Sequence, residues 1–121
     1  PAPFKEKCMT DLSSKKCVPC EGNIPPFKPD EIHKYLKKVD GWEVIEDKID
    51  GFHLIKNFKF DNFLKSQEFV NKVGEIAEAE GHHPDLWFGW GYARIKIFTH
   101  AIKGLAESDF ILAAKIDKIN V

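Results

Sequence analysis

Three of the five histidines, His82, His83 and His100, and two of the three tryptophans, Trp87 and Trp90, fall within EGHHPDLWFGWGYARIKIFTH, residues 80–100. Imidazole has an unperturbed pKa of about 6.5, so near neutrality one ring can give up a proton or take one. Adjacent imidazoles with a third farther along fit acid/base chemistry, a metal site or loop packing. A metal site would recruit Asp85 or Asp109 to a zinc or non-haem iron. The spacing argues against it: no His-Glu-x-x-His helix pair is present, and neighbouring histidines make awkward ligands for one ion. Pro84 biases His83 toward an extended backbone, so the two rings need not point the same way. One can face a ligand while the other anchors the loop. A lone histidine in such a place is ordinarily a hydrogen-bonding cap, but three together weaken that reading. Metal-free proton transfer, flanked by aromatic rings, is the chemistry this pattern favours.

Elements must bring these positions together. PDEIHKYLKKVDG places Ile32, Tyr35, Leu36 and Val39 at helical spacing, opened by Asp30 and Glu31 and closed by Gly41. WEVIEDKIDGFHLIKNFKF reads as two antiparallel strands joined by an Asp-containing turn. DNFLKSQEFVNKVGEIAEAEG carries Phe69, Val73, Ile76 and Ala77 on one helix face, with Asp61 as N-cap and Gly81 just past the end. Pro84 stops that helix, and DLWFGW with YARIKIFT forms a second strand pair, in which Gly89 and Gly91 mark a bulge or turn. Ala93, Ile95, Ile97 and Thr99 alternate with Arg94, Lys96, Phe98 and His100, separating an apolar face from a more polar one that holds His100 at its end. The final helix, ESDFILAAKIDKINV, has an apolar stripe wider than one core-facing surface needs, which points to a second packing surface and oligomerisation. The expected fold is α+β, ordered α-β-β-α-β-β-α, with a four-stranded antiparallel sheet and three helices on one face.

At 121 residues, 43% hydrophobic and 31% charged, the chain fits one domain. Residues 1–27 hold all three cysteines and five of the seven prolines and read as an arm; residues 28–121 form the domain. The net charge of −1, with Arg94 the only arginine, gives no footprint for nucleic acid. No apolar run approaches the roughly 18 residues of a membrane span, and no signal-peptide stretch opens the sequence, so a soluble, cytoplasmic protein is expected. An odd cysteine count fits a reducing compartment. Cys17 and Cys20 in CVPC resemble redox or zinc motifs, but no strand-to-helix context surrounds them. Cys8 completes only a three-ligand set.

EAEGHHP, Trp90, Thr99-His100 and GLAESD ending at Asp109 together resemble the pterin-4a-carbinolamine dehydratase family. The resemblance extends through GWEV, FKFDNF and the long helix, covering about residues 25–121, and the segment LSSKKCVPCEG is similar to that of some non-animal members. It implies dehydration of 4a-hydroxytetrahydropterin to quinonoid dihydropterin, in the recycling of tetrahydrobiopterin, with no metal or redox cofactor. It further implies that His82 and His100 are the acid/base pair and that His83 orients the substrate or supports the acid. Glu78, four residues before His82, would fix an imidazole tautomer, and Asp109 would support His100. Backbone groups of Gly81, Phe98, Thr99 and Ala101 would read the pterin edge, with Trp90 and Trp42 each either beside its bicyclic ring or part of the ordinary core. Asp109 has a plainer reading as a first-turn aspartate on the last helix, stabilised by the helix dipole.

There are departures from the family pattern. Ala106 stands where many members have Ser or Thr, at a cost of about 1 kcal/mol in helix capping. Ser108 stands where mammalian members have arginine. The family's assembly implies a homodimer by sheet extension or a homotetramer by helix packing. A different class of role is also implied by mammalian relatives: a protein-binding dimerisation cofactor of a transcription factor, acting through the last helix and placing the protein in the nucleus as well.

Overall fold

The computed structural model describes residues 12–15 and 25–121; Cys8, Cys17 and Cys20, and with them the CVPC reading, lie outside the described residues. The observed order is α1 (Pro29–Leu36), β1 (Glu43–Asp47), β2 (Gly51–Lys59), α2 (Phe63–Glu80), β3 (Asp85–Gly89), β4 (Tyr92–Ile97) and α3 (Glu107–Asp117). Short 3-10 turns occupy Leu12–Ser14 and His100–Ile102. The expected α-β-β-α-β-β-α order is therefore the order found.

Pro29 starts α1, where a missing N–H costs nothing, and Glu31 Oε1 accepts the Lys28 amide at 3.0 Å. The helix ends at Leu36, well before Gly41. Gly41, at φ 78°, instead supports the bend leading to β1. The cap of α2 is Asn62 rather than Asp61: Asn62 Oδ1 accepts the Lys65 amide at 2.8 Å. At its other end Gly81 turns left-handed at φ 67°, its amide meeting Glu78 O at 3.3 Å while the His82 amide meets Ala77 O at 3.1 Å. These two bonds satisfy the last carbonyls of α2 and set the direction in which His82 leaves the helix.

The sheet runs β1-β2-β4-β3, antiparallel throughout. Register pairs Leu54 with Ile97 and Val44 with Leu54, and Leu86 with Ile95, placing these side chains on one face. That face meets Phe69 and Val73 of α2, Ile32 of α1 and Phe110, Leu112 and Ile116 of α3 in one core. No bulge interrupts β3 and β4, which remain in register from Asp85 and Lys96 to Gly89 and Tyr92. Trp90 and Gly91 form the connecting turn, with Gly91 at φ 78°.

The broad apolar surface of α3 is used within the chain. Phe110, Ile111, Leu112, Ala113 and Ile116 are all buried, and the turn carrying Leu12 packs on this helix, leaving Leu12 2% exposed. The stripe thus has a sufficient explanation inside one chain. Lys15 Nζ reaches Glu107 Oε2 at 3.0 Å, and the Tyr35 hydroxyl donates to the same oxygen at 3.0 Å. Burial pushes the Glu107 carboxyl up, but the bonds from Lys15 and Tyr35 and the charges of Lys15 and Lys38 outweigh it and hold the group below its ordinary value. Part of the expected arm is consequently attached to the domain. Among the described residues, no helix is long and apolar enough to cross a membrane.

Candidate active site

The rim of the sheet near the end of β4 gathers the connections that matter. His82 lies directly beyond the glycine cap of α2, Thr99 follows β4, and Asp109 occupies the first turn of α3. Their convergence is tight. Asp109 Oδ1 is 2.7 Å from His82 Nε2, and Asp109 Oδ2 accepts the Thr99 hydroxyl at 2.7 Å and the Ala106 amide at 2.8 Å. Asp109 is wholly buried, whereas the His82 side chain is 15% exposed.

A carboxylate accepts hydrogen bonds only, so the hydrogen between these groups belongs to Nε2 of His82. In the neutral ring this leaves the lone pair on Nδ1. Three donors converging on one carboxylate replace the hydration lost on burial. The same group therefore completes the first turn of α3 through the Ala106 amide and orients an imidazole. The helix-start reading and the site reading of Asp109 are compatible, but its imidazole partner is His82, not the expected His100.

His83 behaves differently. Its Nε2 lies 2.8 Å from Glu78 Oε1, with both side chains largely in solvent. Glu78 thus orients His83, while His82 takes the buried carboxylate. The expectation that adjacent rings diverge has a structural form in these two separate partners.

His100 opens a short loop held at its neck by Thr99 and Gly104, whose backbones pair at 2.9 Å from Thr99 N to Gly104 O. Lys103 adopts φ 51°, the one non-glycine left-handed conformation among the described residues. The exposed His100 ring rests on Phe98 with ring centroids 4.1 Å apart. Phe98 itself is buried, although alternation assigned it to the polar face. Gly81 and Ala101 are exposed on the same two connections.

The two tryptophans divide between the surface and the core. Trp90 is 70% exposed in the β3–β4 turn, at the opposite end of that hairpin from His82 and His83. Trp42 belongs to the core, donating from Nε1 to Asp117 Oδ2 at 3.0 Å and meeting Phe58 edge-on. Thr99 was expected to serve through its backbone; its hydroxyl bond to Asp109 was missed. Its inward position in the Ala93, Ile95, Ile97 series was the available signal, because a polar group there requires a partner.

The family model described as "Pterin 4 alpha carbinolamine dehydratase" matches residues 25–119. A Rubrobacter xylanophilus protein, provisionally named a pterin-4-alpha-carbinolamine dehydratase, is 50% identical over 111 residues, spanning 92% of this chain and 100% of its own. A Methylococcus capsulatus protein named in the same way is 48% identical, spanning 89% of this chain and 92% of its own. A transcriptional coactivator/pterin dehydratase from Brucella melitensis has a similar solved fold, with TM-score 0.69 and 24% identity over 76% of this chain and 95% of that one. A pterin dehydratase-like protein identified as a RuBisCO assembly factor in the alpha-carboxysome gives TM-score 0.54 and 23% identity, covering 64% of this chain and 86% of that one. At these identities the two solved structures speak to the fold alone, and function must be sought in the site.

Proposed function

Because the chain belongs to the pterin 4 alpha carbinolamine dehydratase family, we propose that its histidine rim dehydrates 4a-hydroxytetrahydropterin. In this reaction the C4a–O bond breaks, the departing oxygen takes a proton and leaves as water, and a ring nitrogen loses a proton as its electrons form the new double bond. The product is quinonoid dihydropterin. One group must give a proton and another must take one, which two imidazoles near neutrality can do without a redox change.

The observation that carries this reading is the 2.7 Å contact between His82 Nε2 and the buried carboxylate of Asp109. It supports His82 as the base, using Nδ1, with the resulting imidazolium held by Asp109. His100, exposed on its pinned loop, is the proposed acid for the leaving hydroxyl, and His83 orients the pterin at the rim. Main-chain groups beside Gly81 and along Phe98 to Ala101 are proposed to meet its donor and acceptor edge. The role in tetrahydrobiopterin recycling belongs to the same proposal.

Stopped-flow absorbance of freshly generated 4a-hydroxytetrahydropterin tests it. Wild type is expected to accelerate dehydration over buffer, and a folded His82→Ala, His100→Ala double variant to lose that acceleration. A double variant as fast as wild type would overturn the histidine assignment.

We further propose that the working form is a homodimer joined at β3. This is an edge strand whose hairpin exposes Trp87, Trp90 and Tyr92, and exposed edges and apolar patches favour pairing. Light scattering after chromatography should give twice the chain mass for wild type and one chain mass for Trp87→Lys.

A further inference from the structure

His53 lies on the sheet face away from the helices, where a polar side chain would ordinarily meet water, yet it is 5% exposed. Its Nδ1 is the one buried side-chain nitrogen or oxygen without a hydrogen-bond partner among the described residues. Such groups are uncommon because burial removes their water without replacing it. Asp47 Oδ2 lies 3.6 Å away, just beyond hydrogen-bonding reach.

The surroundings connect this ring to the rim. Asp47 Oδ1 holds the β1–β2 turn by accepting the amides of Ile49 at 2.9 Å and Asp50 at 2.6 Å. Asp47 Oδ2 stands between His53 Nδ1 and Lys96 Nζ, the latter at 3.7 Å. Lys96 also binds Asp50 at 2.9 Å and lies 5.2 Å from the centre of the Phe98 ring, on which His100 rests. One step beyond the Leu54–Ile97 pair, the register sets His53 beside Phe98. The turn also lies against the His100 loop: a Cβ on Gly51 would clash with Lys103 O.

We propose that His53 is a positioning residue for His100: when protonated, its Nδ1–H closes on Asp47, draws the β1–β2 turn inward, and resets the loop and Phe98 ring that hold His100. The charged group facing it is Asp47 of β1, which Lys96 of β4 also approaches; Lys96 in turn feels Asp50 of the turn and Asp85 of β3, and the loop beyond carries His100 and Lys103. The Asp47 carboxyl is held below its ordinary range by the Asp50 amide and other donors, which keeps an anion waiting for the imidazolium. The catalytic meaning of the coupling rests on the proposed role of His100; the coupling itself does not.

The test is an NMR titration of the imidazole resonances in the full chain, comparing wild type, His53→Leu and Asp47→Asn. In wild type the His100 resonances should show a second inflection at the midpoint of His53. His53→Leu should abolish it. Asp47→Asn retains an amide oxygen for the two turn bonds but lacks the charge, and should displace or remove the second His100 inflection. A single His100 inflection in wild type, or the same His100 curve in wild type and Asp47→Asn, would overturn the proposal. If His53→Leu does not fold, Asp47→Asn decides alone. An active enzyme should show the same limb in its pH–rate profile; an inactive one would overturn the reaction and leave the resonance test to judge the coupling.

Discussion

His82 and Asp109, far apart in sequence, meet at 2.7 Å, with the carboxylate fully buried and the imidazole reaching the surface. The relationship joins the loop after α2 to the first turn of α3, and the Thr99 hydroxyl on the other carboxylate oxygen adds the end of β4. Fold and candidate site therefore share one side chain. A change at Asp109 must be felt in both.

Asp109→Asn should show this. The amide replaces one acceptor oxygen with a donor, which must face either His82 Nε2–H or the pair formed by Thr99 and Ala106. The buried mismatch is expected to cost about 1–3 kcal/mol of stability by urea denaturation. His82 would also lose its tautomer control, and dehydration should slow on the order of 10²-fold or more. A folded Asp109→Asn protein with the wild-type rate would remove His82 Nδ1 from the base role.

Glu78→Gln is the contrasting case. The bond from Glu78 to His83 lies in solvent, where ion pairs contribute little, so stability should change by less than about 1 kcal/mol. Gln retains an oxygen for the ring, and the rate should remain within about tenfold of wild type, since a full acid/base contribution would be 10² or greater. A loss as large as that of Asp109→Asn would shift the acid/base assignment toward His83.

Gly51→Ala probes the path between the β1–β2 turn and the His100 loop. At φ 76° the position disfavours a side chain, and the new Cβ would clash with the backbone oxygen of Lys103. Unlike the tip of a side chain, that oxygen cannot move without moving its loop. Strain of about 1–3 kcal/mol from the left-handed backbone adds to this clash. Thermal unfolding should register the loss, and His100 resonances should shift even where the protein remains folded. Unchanged resonances would show that the loop can yield without disturbing its histidine.

The sequence made the scaffold legible because alternation along Ala93, Ile95 and Ile97 and helical spacing along Phe69, Val73 and Ala77 each correspond to one buried face. It also exposed the histidine cluster, because Gly81 and Pro84 bracket a turn. What it could not provide was pairing across long separations. Whether Asp109 meets His82 or His100 depends on how α3 lies over the rim, and periodicity says nothing about that. The width of the α3 stripe is a related case: Leu12 covers part of this helix, and nothing local to α3 reveals that partner. Trp90, linked to the site by the family resemblance, sits in the turn that an antiparallel hairpin sends to the end away from His82 and His83.

The charges at the β1–β2 turn predict a stability profile with two limbs. The Asp47 carboxyl is held below its ordinary 3.8 by the Asp50 amide first, then by the Ile49 amide and the charges of Lys96 and His53, against an opposing effect of desolvation. A depressed carboxyl contributes stability fully above its unfolded value and loses it as pH falls through the lower folded value. Lys96 is raised above 10.5, chiefly by its bond to Asp50, with the charges of Asp50, Asp47 and Asp85 helping and burial opposing. Its contribution is fully present below 10.5 and is lost as pH climbs through the higher folded value. Denaturant midpoints should therefore show a gap between wild type and Asp47→Asn that narrows as pH falls below 3.8 and Asp47 protonates. Lys96→Met should show the complementary gap, narrowing above 10.5. A gap for Asp47→Asn that persists undiminished at pH 2 would mean that the aspartate acts through turn geometry alone, and that its charge contributes nothing to the fold.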